Sequence, residues 1–354
     1  MRPRRWRSAL AAIGLSMLAV GTMSMAASAA TWMVTFRASP GTCVSGISNR
    51  TLDIELRDES DVLVDTVLGV VPNSQHHIHA CFATGQVAPG MTLVGISAID
   101  IDQIRFTIPA LSIQANRVTD VVKGIARHDS HVTIRAYHCT PTAPCTRILT
   151  RTVASDHAGH YRTDTSSAAD LRGLDALKVT WTSHVGHSYT LYQSVPYMEV
   201  VIGGALLGTM DPGQHGTFRL LARPGGTQLS RRSVTADAIG GFLLNFSAAI
   251  SAGRQVAGDF ASDARLTVPS TATSFPIEHG VQKIRSHCLA GRPAKIYWLG
   301  THAGVVRNAD DHGRLYVDLD AAESPGFRVP SGSSVRIVCE STAGDMVIRD
   351  LTAP

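Results

Sequence analysis

The sequence predicts an all-β protein: four tandem seven-stranded antiparallel β-sandwich modules that follow an N-terminal leader. Apolar and polar residues alternate with period two in several stretches, as half-buried strands require. Short turn motifs recur at similar spacings along the chain. No stretch after the leader carries the 3.6-residue period of an amphipathic helix.

The leader occupies residues 1–30. Arg2, Arg4, Arg5 and Arg7 precede an apolar run from Ala9 to Val20, and Ala27-Ser28-Ala29 closes it. A basic start, a short apolar run and an A-x-A step mark a secretory signal peptide, and the run falls short of the ~20 residues a membrane-spanning helix needs. The expected mature protein is exported, with no transmembrane segment after the leader. Of the 32 Lys and Arg residues in the 354-residue chain four belong to the leader, so the remainder carries 28 basic against 28 acidic residues. No run of Lys and Arg stands out beyond the leader, and a nucleic-acid partner is not expected.

The modules rest on three repeated patterns. Asp156…Gly159…Tyr161, Asp237…Gly240…Phe242 and Asp310…Gly313…Leu315 share the form D-x-x-G-x-apolar. Asp accepts hydrogen bonds from backbone N–H groups two residues on, and Gly supplies the positive φ a chain reversal needs. A weaker fourth copy runs from Asn73 to Ile78, with His76 in the place of the glycine. The second pattern, apolar-x-x-Gly-x-x-apolar, appears at Val87…Gly90…Leu93, Ile250…Gly253…Val256 and Val329…Gly332…Val335. Leu171…Leu174…Leu177 keeps its frame and loses the glycine. The third, V-x-G, occurs as Val44-Ser45-Gly46, Val122-Lys123-Gly124 and Val201-Ile202-Gly203, with Cys288-Leu289-Ala290-Gly291 in the fourth copy.

Between V-x-G and D-x-x-G lie alternating segments: residues 52–56, 132–137 and 295–298. The repeats divide the chain at 31–116, 117–196, 197–277 and 278–354, each long enough for about seven short strands. Two larger sandwiches of two repeats each are the alternative partition. Short segments around Pro196 and Pro276 would act as stubby linkers.

The order V-x-G, alternating strand, D-x-x-G-x-(Tyr/Phe), apolar-x-x-Gly resembles the Ig-like and carboxypeptidase-regulatory-like β-sandwich repeats of secreted bacterial proteins. The resemblance covers essentially the whole chain after the leader. It implies Ig-like sandwiches and a non-enzymatic surface, adhesion or spacer role.

All six cysteines lie beyond the leader, an even number in an expected exported chain, which reads as disulfides. Cys43 and Cys288 each stand three residues before the glycine of their V-x-G position, so each would open a bridge within its module, to Cys81 and Cys339. Cys139 and Cys145 flank Thr-Pro-Thr-Ala-Pro and would clip a hairpin loop. The third module has no cysteine and would be the least stable unless its neighbours support it.

No catalytic motif is present: no G-x-S-x-G, no H-E-x-x-H, no phosphate loop and no C-x-x-C. Three clusters resemble metal ligand sets. His77, His79 and Cys81 would share one face of a strand beside His76, a zinc or copper pattern, but a bridged cysteine is no ligand. His157, His160, His184 and His187 would come from two loops, and Asp310, Asp311, Asp318 and Asp320 crowd one turn and strand without the spacing of a calcium loop. No cofactor, metal or catalytic residue is expected.

Aromatic residues make up 6% of the chain. Trp181, Tyr189 and Tyr192, near Tyr197, form a possible ligand face, with Tyr297 and Trp298 mid-strand in the fourth module. The expected protein is a non-enzymatic secreted or cell-surface interaction or spacer protein with an extracellular protein or polysaccharide partner. The alternatives are a carbohydrate- or envelope-binding protein and, less favoured, a metal-dependent extracellular enzyme.

Overall fold

The computed structural model describes residues 33–97, 99, 102–141, 143–261, 264–269, 274, 277–278, 281–299, 304–319 and 329–354. The expected leader, Asp320 and the expected linker at Pro276 lie outside them.

Strands make up the architecture. The first fourteen are β1 (Val34–Ala38), β2 (Cys43–Ser48), β3 (Leu52–Arg57), β4 (Leu63–Val70), β5 (His77–Cys81), β6 (Thr92–Ser97), β7 (Gln103–Thr107), β8 (Gln114–Asn116), β9 (Val121–Ile125), β10 (His131–Thr140), β11 (Ala143–Ala154), β12 (His160–Asp164), β13 (Ala176–Thr182) and β14 (Ser188–Ser194). The next fourteen are β15 (Tyr197–Val201), β16 (Leu206–Thr209), β17 (His215–Leu221), β18 (Gln228–Thr235), β19 (Gly241–Leu244), β20 (Gln255–Gly258), β21 (Arg265–Thr267), β22 (Ile277–Glu278), β23 (Val281–His287), β24 (Pro293–Trp298), β25 (Gly304–Asn308), β26 (Arg314–Asp318), β27 (Ser334–Glu340) and β28 (Met346–Thr352).

Alternation decides which side of each strand is buried. Leu52, Ile54 and Leu56 are fully buried on β3 while Asp53, Glu55 and Arg57 face outward, and Val132, Ile134 and Ala136 do the same on β10. Each large side chain buried this way contributes about 1.5–3 kcal/mol relative to exposure.

The pairing pattern recurs every seven strands, but the sheets do not stop at the repeat boundaries. The order β11-β10-β13-β14-β1-β2-β5 is one seven-stranded sheet, and β19-β16-β15-β28-β27-β24-β25 is another. Each is closed by a parallel seam between the first strand of one repeat and the last strand of the next, β1 with β14 and β15 with β28. Two four-stranded sheets, β4-β3-β6-β7 and β18-β17-β20-β21, and two three-stranded sheets, β12-β9-β8 and β22-β23-β26, complete the layers.

The buried apolar residues follow the seams. One large cluster runs from Val34 to Val195 and a second from Met198 to Ala353. The cysteine-free stretch from β15 to β21 shares a sheet and a core with β23–β28. Only Val195 and Pro196 separate β14 from β15.

Candidate functional site

The repeated motifs resolve into turn and packing chemistry. Asp156 Oδ1 accepts from the N–H groups of Ala158 and His160, Asp237 Oδ1 from Ile239 and Gly241, and Asp310 Oδ1 from His312 and Arg314. The weak fourth copy has the same geometry: Asn73 Oδ1 accepts from Gln75 and His77, and His76 stands at φ 62° where the other copies place glycine.

The apolar residue after each turn faces a small residue on the neighbouring strand. Tyr161 pairs with Gly124, Phe242 with Gly208 and Leu315 with Ser286. A side chain on Gly124 would meet the Ser112 carbonyl and the Tyr161 hydroxyl, and one on Gly208 would meet the Tyr197 carbonyl and the Phe242 ring. This corrects the third and fourth copies of V-x-G: Val201-Ile202-Gly203 leaves β15 into a turn, Cys288-Leu289-Ala290-Gly291 lies beyond β23, where Ser286 holds the place, and a side chain on Gly203 or Gly291 would touch nothing. Leu206-Leu207-Gly208 holds the equivalent place in the third.

Cys43 is joined to Cys81, Cys139 to Cys145 and Cys288 to Cys339. Cys43 and Cys81 sit opposite one another on β2 and β5, and His79 Nε2 lies 3.3 Å from Cys81 Sγ. Sulfur committed to a disulfide offers no thiolate to a metal.

The four histidines of the second repeat do not converge. His157 is exposed and bonds Asp129 at 2.8 Å, which raises its pKa. His187 is buried against the Phe36 and Phe106 rings, its Nδ1 accepts from the Phe36 N–H at 3.0 Å, and burial lowers its pKa. Asp310 is engaged in its turn and in an ion pair with Arg314 at 2.8 Å.

The aromatic face is largely internal. Trp181 is 4% exposed and stacks on Phe106, and Tyr189 is fully buried, its pKa pushed up to about 12 by burial. Both point inward because their strands place them on the core side of the sheet. Of the three, Tyr192 alone reaches the surface, with Lys178 Nζ 5.2 Å from its ring. Burial thus removes Trp181 and Tyr189 from any ligand face.

The most elaborate polar constellation lies where the two halves meet. Arg117 and Asp345, both side chains 1% exposed, form a bidentate pair at 2.9 Å in each arm. Arg117 also donates to the carbonyls of Pro196 and Ala343, and its guanidinium lies 5.7 Å from the Phe260 ring centroid. Asp345 Oδ1 accepts in addition from the Met198 N–H at 2.7 Å. Gly173 donates to the Ala343 carbonyl at 2.8 Å, and a side chain on Gly344 would strike the Gly173 backbone. Leu174, which replaces the motif glycine, stands at φ 70° and packs against the cluster of Val338, Met346 and Ile348. A left-handed leucine costs about 1–3 kcal/mol, so its place is held by what it packs against in the other half.

The sequence carries a signal for this junction in Ser183-His184-Val185-Gly186-His187 and Ser341-Thr342-Ala343-Gly344-Asp345. In each, the serine hydroxyl accepts from the N–H four residues on, at 3.0 Å and 2.9 Å, and the fifth side chain accepts from a first-strand N–H across the parallel seam. A second missed constellation is a basic outward face on β23 and β26, which holds Lys283, Arg285, Arg314 and an exposed Tyr316. Period-two spacing hid it: each strand contributes cations only at alternate positions.

No protein-family model matches the chain, and a search of curated proteins finds no match. Among solved structures, the chain is similar to a tetra-tandem repeat in the extending region of a large adhesion protein. That match has 11% identity and a TM-score of 0.19, covering 91% of this chain and 99% of that one. It is also similar to the BSP domain of a biofilm-associated protein, at 8% identity and a TM-score of 0.19 over 91% and 96% of the two chains. A further similarity is to Escherichia coli alpha-2-macroglobulin in its native conformation, at 9% identity and a TM-score of 0.17. It covers 92% of this chain and 29% of the macroglobulin. At such TM-scores none of these likenesses bears on function.

Proposed function

We propose that the chain is a non-enzymatic interaction and spacer protein of the cell exterior. Its proposed build is four Ig-like seven-stranded units in two pairs, 31–116 with 117–196 and 197–277 with 278–354. The buried Arg117–Asp345 pair carries this reading. A buried, bidentate, fully satisfied ion pair between two halves separated by two residues fixes their relation, which a spacer needs and a pair of loosely tethered domains lacks. Three disulfides fit an oxidising exterior, where such bonds persist. The proposed partner is an extracellular protein or polysaccharide.

Binding of an envelope carbohydrate is the second reading, favoured by the exposed Tyr316 among cations. Co-sedimentation of the leader-free protein with its own cell envelope, with and without a chelator, tests the role. Saturable, chelator-resistant pelleting is the expected outcome. Release of soluble fragments from the envelope, or no retention by any fraction, would contradict it.

A further inference from the structure

Among the described residues, one group of side chains gathers three metal-ligand atoms: those of Cys43, His79 and Cys81 all lie within 4.8 Å of one another. The two cysteines stand directly opposite each other on β2 and β5, with Cα atoms 4.0 Å apart, and β5 is the outer strand of its sheet. Alternation sends His79 and Cys81 to the same outward side of β5. His79 Nε2 lies 3.3 Å from Cys81 Sγ, and both residues are exposed while Cys43 is half-buried. The other bridges lack this setting. Cys288 and Cys339 are each 8% exposed, and beside Cys139–Cys145 the ring of His138 is turned to Asp175.

These spacings suit a tetrahedral ion. Zinc holds thiolate sulfur at about 2.3 Å and imidazole nitrogen at about 2.0–2.1 Å, which sets S···S near ~3.8 Å and S···N near ~3.5 Å. The S···N spacing is already close to this. The S···S spacing needs the bridge opened and each sulfur turned about its own Cα–Cβ bond. Nothing in the turn or the core calls for an imidazole here: six residues after each turn-opening Asn or Asp the outward position holds His79, Arg162, Leu243 and Tyr316 in turn.

We propose that the Cys43–Cys81 bridge is the oxidised form of a zinc site, in which the two reduced sulfurs and His79 Nε2 hold Zn²⁺ and water takes the fourth position. The reductant is an external dithiol. Its first thiolate attacks Cys43 Sγ, and Cys81 departs as a thiolate within hydrogen-bond reach of His79. Its second thiol then closes on the first, releasing Cys43, so that two electrons pass and the dithiol ends as its own disulfide. Zinc displaces the protons of the two thiols and takes the lone pair of neutral His79. Two thiolates with one imidazole favour zinc over calcium or magnesium, which want oxygen. The metal cross-links the same two strands that the disulfide joined, so β2 and β5 stay paired in either state.

The test uses the intact leader-free protein, reduced with a water-soluble phosphine that ends as its oxide and is then removed under argon. A thiol count establishes that the bridge is open, and circular dichroism that the strands persist. Co²⁺ is the optical probe. Reduced protein gives stoichiometric thiolate-to-cobalt charge-transfer absorption with the intense visible bands of a tetrahedral ion, zinc abolishes them, and calcium and magnesium do not. Oxidised protein gives none. His79→Ala, at an exposed position, weakens cobalt binding by more than about tenfold, because a lost ligand costs at least what a lost supporting hydrogen bond does. Cys43→Ser abolishes the charge-transfer signal, while the double variant Cys139→Ser/Cys145→Ser keeps it. No such absorption once the bridge is open, equal affinity in His79→Ala, or a signal that survives Cys43→Ser would overturn the proposal. So would a bridge that opens only when the protein unfolds, or a signal lost with Cys139 and Cys145.

Discussion

The two halves of the molecule close the same parallel seam with different chemistry. In the first, the N–H of Phe36 on β1 donates to the buried imidazole of His187, just before β14. In the second, the equivalent N–H of Met198 on β15 donates to the carboxylate of Asp345, just before β28. A neutral ring needs no counter-charge and sits among Phe36 and Phe106. A buried carboxylate needs a cation, and Arg117 supplies it from the other half. One change of residue type in a repeated S-x-x-G-x turn therefore converts an internal seam into a clamp between halves.

The largest effect that would break this comparison lies at the clamp. Asp345→Ala leaves Arg117 buried without its partner and is expected to cost about 3–5 kcal/mol in chemical denaturation, because an uncompensated buried charge outweighs the lost contact. A cost under about 1 kcal/mol would mean that the pair is solvated in solution.

The disulfides sharpen the comparison by what they share. Removing Cys43–Cys81 or Cys288–Cys339, whose sequence separations are 38 and 51, is expected to cost about 4 kcal/mol each on chain entropy. Removing Cys139–Cys145, with a separation of 6, should cost about 2 kcal/mol. Thermal melts of the three Cys→Ser pairs would show equal long-loop losses in the two halves, leaving the seam as their difference. His187→Ala should cost about 1–3 kcal/mol, the penalty of a buried N–H left without its acceptor, and less than Asp345→Ala.

Acid acts on the first half through His187. Burial lowers the pKa of His187, with the nearby His184 acting the same way. Between that lowered value and the ordinary 6.5 the unfolded chain binds more protons, so stability falls as pH drops through this window. Hydrogen exchange should show β1 and β14 losing protection as pH drops below about 6.5, and His187→Gln should flatten that slope. Protection that rises on acidification, or a slope unchanged in His187→Gln, would refute the neutral-ring seam.

Local chemistry was legible in the sequence and long-range pairing was not. The D-x-x-G turns and the alternating strands follow from residues close together, whereas the frame that matches Cys288 to Cys43 does not hold, because Ser286 and not Gly291 faces Leu315. Even Asn73 and His76 could be read as a degenerate turn. Nothing in the alternation of β1 or β14 states that they pair, because a strand reads the same whichever neighbour it meets. Trp181 and Tyr189 read as a ligand face because aromatic content is visible while its orientation depends on register. Leu174 was the most informative misfit: a glycine position filled by leucine marks the place where the repeat gives way to an interface. The Lys283, Arg285, Arg314 and Tyr316 face escaped notice because its cations alternate with core residues on two separate strands.

The central claim, that Arg117 and Asp345 make the two halves one body, is tested most directly by backbone ¹⁵N relaxation of the leader-free protein. Residues of β1–β14 and of β15–β28 should report a single overall correlation time, splitting into two shorter ones in Asp345→Ala. Two distinct correlation times in the unsubstituted protein would contradict it.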